Sequence, residues 1–114
     1  MSFEGKTVNI LGTTYTLHEQ GSDDNPKMKD ASGLCETYSK EIIIDRIKDE
    51  PDNYSNIDAY KRRVVRHELV HAFFDESGLR GECKYAVNEE LVDWIAIQLP
   101  KIVRACTELE VMEE

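Results

Sequence analysis

Residues 67–71 read His-Glu-Leu-Val-His, within the stretch RHELVHAFF. Around them Val64, Val65, Leu69, Ala72 and Phe73 recur at helical spacing. On a helix, positions four apart share a face, one turn above the other. Two imidazoles so placed, His67 and His71, can grip one metal ion. Glu68 is rotated by about 100° from His67, so it stands beside such an ion, within reach of a water there. This is the physical content of the pattern H-E-x-x-H: two zinc ligands and a general base. Three polar groups buried on an apolar helix without partners would be costly.

A hydrolytic zinc site takes three protein ligands and leaves the fourth position to water. No histidine follows His71. Phe74 and Ser77 stand where the longer H-E-x-x-H-x-x-G-x-x-H pattern has its glycine and third histidine. The third ligand must come from elsewhere. Residues 88–93, Asn-Glu-Glu-Leu-Val-Asp, offer one on a second helix. Glu89 and Asp93 are four apart and share a face, with Leu91, Trp94 and Ile95 expected to pack into the core opposite. Asp93 can then reach a histidine ring nitrogen that is not on the metal, fixing its tautomer. Glu90 competes with Glu89 but turns toward Val87, Trp94 and Ile97, and it lacks a partner such as Asp93 on its own face. Asp75, four residues after His71, is another carboxylate in range, at a solvated helix end.

The pair of motifs, H-E-L-V-H and N-E-x-x-x-D, resembles the gluzincin metallopeptidases, the thermolysin-like group. Over about residues 34–100, with Asp-Trp-Ile-Ala-Ile-Gln-Leu-Pro at 93–100, the chain is also similar to the minimal gluzincins and to the ImmA/IrrE-like metallopeptidases of phages and mobile elements. The resemblance implies zinc held by His67, His71 and Glu89, with Asp93 orienting His67 and Glu68 acting as base. It implies hydrolysis of a peptide bond in a protein or peptide substrate, a mobile-element regulator being the class it suggests. Only 17 residues, 72–88, separate the two motifs, and the large substrate-binding lobe of bigger gluzincins has no room here. As a second donor to the developing oxyanion, Tyr85 and His18 are candidates, though a purely structural role is the simpler account of each.

Two other readings compete. A metal-stabilised binding or regulatory module would keep the zinc without turnover, but a structural site has no use for Glu68 and closes its fourth position. A deformylase-like amide hydrolase would use Cys35, which precedes the motif helix in Ser-Gly-Leu-Cys-Glu-Thr-Tyr. Cys83 reads as a loop cysteine, or as a thiolate capping the metal, and Cys106 as core. With no Cys-x-x-Cys pair, the three cysteines suit a reducing compartment.

The 114 residues suit a single domain spanning 1–114, and 40% hydrophobic with 32% charged residues is ordinary for a globular one. A net charge of −9 disfavours nucleic acid and anionic membranes as partners and favours cations or basic peptides. There is no apolar run of membrane-spanning length, and the start, Met-Ser-Phe-Glu-Gly-Lys, does not read as a signal peptide, so a cytoplasmic location is expected. Nothing in the composition fixes an oligomeric state.

The rest of the chain predicts an α+β fold: a small N-terminal antiparallel sheet, the H-E-x-x-H helix, a glutamate-bearing helix and a C-terminal helix. Residues 6–20 read as a hairpin around Gly12 or as one strand bent there, 21–33 as a loop, and Leu34–Tyr38 with Glu41–Ile47 as a second hairpin. The strand Glu-Ile-Ile-Ile-Asp is a candidate edge for an extended peptide. Loop 48–56 leads to a capping box at Ser55 and Asp58, and Gly78 ends the first helix. After a connection at 79–84, the second helix runs from about Tyr85 to Leu99 with Val87, Leu91, Trp94, Ile95 and Leu99 as its apolar stripe. Pro100 then kinks it or starts a third, carrying Ile102, Val103, Cys106 and Leu109.

Overall fold

The structure, a computed structural model, describes residues 1–47, 55–79 and 84–113, and of Tyr85 the backbone only. The loop expected at 48–56 and the connection at 79–84 therefore fall largely outside the described residues. Strands precede helices and the class is α+β. β1 (Thr7–Ile10) and β2 (Thr13–Gln20) form the first hairpin. Its turn is Leu11–Gly12, at φ 51° and 96°. Two-residue turns with positive φ at both positions match the twist of the flanking strands, and the Asn9 side chain accepts the Gly12 N–H at 2.9 Å. A 3-10 turn at Pro26–Met28 buries Met28. β3 (Gly33–Glu36) and β4 (Glu41–Asp45) form the second hairpin.

The strand order is β1-β2-β4-β3, and β4 runs parallel to β2. The sheet is thus mixed, where two hairpins had suggested a wholly antiparallel one. The cause lies in β4. Ile42, Ile43 and Ile44 are each at most 3% exposed. Three successive buried side chains need cover on both faces of the sheet. β4 takes an interior position, and half-buried β3 takes the edge. Glu-Ile-Ile-Ile-Asp is therefore not an edge. Among the described residues, β3 has a neighbouring strand on one side only.

α1 (Ile57–Glu76) closes the core, in which Val64, Val65 and Ala72 meet Ile10, Tyr15, Leu17, Ile42 and Ile44. Phe73, expected among them, is exposed. The cap is Asn56, whose side chain accepts the Ala59 N–H at 3.0 Å, and not Ser55 with Asp58. Asparagine caps as well as serine, so the helix starts one residue later. At the other end Gly78 has φ 81°, and the N–H groups of Gly78 and Leu79 return to the carbonyls of Asp75 and Phe74, each at 3.0 Å. This is the glycine stop the sequence predicts. Polar clamps hold both ends to the sheet. Lys61 meets Glu19 at 2.5 Å, both side chains nearly buried. Glu76 accepts from Lys40 at 2.7 Å, Tyr15 at 2.9 Å and Thr13 at 3.1 Å.

α2 (Glu89–Glu108) begins later than expected. Lys84–Val87 form a 3-10 turn, and Asn88 caps α2 by accepting the Leu91 N–H at 2.9 Å. Pro100 lies inside α2, so the segment expected as a third helix continues it. A proline cannot donate to the carbonyl four residues back, here Ala96. Arg66 of α1 supplies the missing donor, its Nε lying 2.7 Å from the Ala96 oxygen. α2 leans chiefly on α1, and it does so through Val92 and Ala96, both 0% exposed. The predicted stripe is not the buried face: Trp94 is 55% exposed, and Val87 and Leu99 are exposed too. The long apolar side chains cannot face α1 while Glu89 and Asp93 do, and small residues allow the close approach. No helix among the described residues is long and apolar enough to cross a membrane.

Candidate metal centre

His67 and His71 sit one turn apart on α1, with ring centroids 5.0 Å apart. Glu89 opens α2, where the positive end of the helix dipole suits a carboxylate. Its two oxygens straddle the two rings. Glu89 Oε2 lies 2.9 Å from His67 Nε2, and Oε1 lies 3.0 Å from His71 Nε2. Ligand atoms from all three residues fall within 4.8 Å of one another. Atoms about 2.0–2.1 Å from a shared tetrahedral ion stand roughly 3.3–3.5 Å from each other. The two nitrogen–oxygen separations are a few tenths of an ångström shorter than this, so the carboxylate would have to draw back slightly to admit an ion. Two imidazole nitrogens and a carboxylate form a donor set that suits zinc.

Asp93, one turn after Glu89, puts Oδ1 3.3 Å from His67 Nδ1. A carboxylate on that nitrogen leaves Nε2 directed at Glu89. The other oxygen of Asp93 accepts from Arg63 at 3.0 Å.

Glu68 occupies the wall beside the histidines and is 5% exposed. Burial pushes its carboxyl up to about 7, Glu89 adding to the rise and His67 opposing it. Gly33 of β3 explains how this carboxylate fits. A Cβ there would stand 2.9 Å from Glu68 Oε2 and 2.9 Å from a Val64 methyl. The strand can approach the helix this closely only without a side chain. Glu68, His67, His71 and Glu89 line a cavity of about 220 Å³ together with Gly33, Leu34 and Cys35 of β3.

Among the other expected residues, Glu90 is exposed and stands outside the cluster. Asp75 is also outside it. Cys35 lines the cavity but is not one of the three clustered donors. His18 is on β2, its Nδ1 2.9 Å from Glu4. Cys106 is half-buried rather than core. Cys83 and the side chain of Tyr85 lie outside the described residues. Sequence reasoning missed Gly33 and Arg63. Arg63 carries a findable signal, since it is four residues before His67 and so shares its face. Comparison of the chain with known protein families, curated proteins and solved structures gave no match.

Proposed function

We propose that the protein is a zinc peptidase of the minimal gluzincin kind, with a protein or peptide as substrate and a mobile-element regulator as the suggested class. The observation that carries this reading is the convergence of both histidine Nε2 atoms on one Glu89 carboxylate beside buried Glu68. His67, His71 and Glu89 would hold the zinc. When bound, zinc supplies the Lewis acidity that makes water nucleophilic near neutral pH. Glu68 takes the proton of the attacking water at its carboxylate and returns it to the leaving nitrogen. Asp93 holds the His67 ring in place. β3, with one edge open among the described residues, can take an extended peptide as an added strand and lay it past Glu68.

The test separates binding from turnover. The wild-type protein should take up one zinc and cleave a peptide library, and a chelator should stop it. Glu68→Gln should bind zinc equally well and lose hydrolysis by a factor of about 100 or more. Undiminished cleavage by that variant would remove the base assignment. Failure of His67→Ala to weaken zinc uptake would remove the site itself.

A further inference from the structure

A second cavity, of about 380 Å³, opens on the other side of Glu68. His67 and Glu68 line its border with the metal cluster, and Val64 gives it an apolar wall. Its polar lining is of a different kind from the cluster. Ser32 and Tyr60 contribute hydroxyls 2.7 Å apart, and Arg63 contributes a guanidinium. Asp93 divides its oxygens between His67 and Arg63, and a single guanidinium nitrogen makes that bond. Arginine has five N–H groups in a planar fork, so donors remain, and the side chain is 45% exposed.

One cation, Arg63, lines this cavity beside the carboxylates of Glu68 and Asp93. Net charge is −9, yet residues 61–66 hold Lys61, Arg62, Arg63 and Arg66. Lys61 is engaged by Glu19, and Arg66 by the Ala96 carbonyl. Arg62 and Arg63 are exposed, Arg63 pairing with Asp93 at 3.0 Å, and both are close enough to Arg66 to bear on its charge. This local run of cations offers a carboxylate a partner that the net charge of the whole chain does not suggest.

We infer that this cavity is a subsite that reads a carboxylate of the substrate next to the bond being cut, with Arg63 as the residue that selects it. The inference rests on the peptidase reading for its place in a reaction, though not for its binding chemistry. A guanidinium pairs with a carboxylate through two parallel charge-assisted bonds, about twice as strong as neutral ones. A neutral amide of the same shape cannot match this. The carboxylate has two sources, an aspartate or glutamate side chain and a free chain terminus, and the assay must tell them apart.

The experiment uses one parent peptide with glutamate, glutamine or lysine on either side of the cleaved bond, each with a free or an amidated C-terminus. Zinc-loaded wild type should cut a carboxylate-bearing peptide with a kcat/KM about 10-fold or more above its neutral counterpart. In Arg63→Gln the ratio should fall to near one, whatever the overall rate, and Arg63→Glu should turn the preference toward lysine. Because loosening Asp93 would slow all peptides alike, the ratio reports the subsite and not the metal. Binding of the same fluorescently labelled peptides to Glu68→Gln, read by anisotropy, should follow the same ranking. A preference retained by the amidated glutamate peptides assigns the side chain, and one confined to free termini assigns the terminus. Equal treatment of glutamate and glutamine by wild type, or an unchanged preference in Arg63→Gln, would overturn the subsite. Arg63-dependent binding without hydrolysis would keep the subsite and remove the peptidase. Hydrolysis without an Arg63-dependent ratio would do the reverse.

Discussion

Glu68 and Gly33 form a pair whose members lie far apart in sequence. The glutamate announces itself through its place between two histidines. The glycine does not, because what it makes room for belongs to another element. Gly33→Ala would press a methyl group into the Glu68 carboxylate and a packed Val64. Overpacking of this kind costs about 1–3 kcal/mol. On the peptidase reading, the expected outcome is a lower melting temperature and a loss of hydrolysis of about 10-fold or more, with zinc affinity changed far less, since neither neighbour is one of the three clustered donors. Calorimetry, zinc titration and a peptide assay on the one variant would check it. Equal loss of zinc affinity and activity would mean that Gly33 supports the ligands instead.

The buried carboxyl of Glu68 also leaves a mark on stability. In the unfolded chain a glutamate loses its proton near 4.3, whereas in the fold burial holds it until about 7. Between these values the folded protein keeps a proton that the unfolded chain has released. Stability from this group is therefore full below about 4.3, falls as pH climbs, and has levelled off above about 7. The loss is on the order of 3 kcal/mol. Urea unfolding of chelator-treated protein should show it, and Glu68→Gln should flatten the decline and be the more stable variant at pH 8. Parallel curves for the two would sink this account.

At the scale of elements, much of the layout is legible because its signals are local. Gly12 and Gly78 fall where the turn and the helix stop need positive φ. What was not legible is which face of an element meets which neighbour. Ile42–Ile44 look strand-like wherever they stand, and only their burial on both faces places β4 inside the sheet. The stripe of α2 has helical spacing, yet Trp94 is exposed because α2 has α1 rather than the sheet for its main neighbour. Pro100 misled for a related reason: its damage to the helix is repaired from outside by Arg66. This makes a sharp prediction. Arg66→Ala should cost about 1–3 kcal/mol, the desolvation cost of a carbonyl left without its donor. In a Pro100→Ala background, where residue 100 again donates to Ala96, the same change should cost distinctly less. A double-mutant cycle with additive effects would show that Arg66 and Pro100 are unrelated.

Across the whole molecule, support is unevenly distributed. α1 is clamped at its start by Lys61 and Glu19, and at its end by Glu76 with three partners from β2 and the β3–β4 turn. Both histidines and Glu68 ride on this fixed element. Glu89 rides on α2, which is held to α1 by Val92, Ala96, the Arg66 bond and the polar contacts of the cluster. In the chelated protein, hydrogen exchange should therefore quicken first in α2, with α1 and the strands keeping their protection. Zinc should then slow exchange in α2 most. Uniform quickening across all elements would contradict this.

The geometry is that of a cantilever. One beam is built into the wall, the other is fastened along a single side, and the bolt between them would pass through the imidazoles and the carboxylate. An ion seated there would thus tune the rigidity of the outer helix as well as serve chemistry, and its departure would loosen the overhang while leaving the foundation standing.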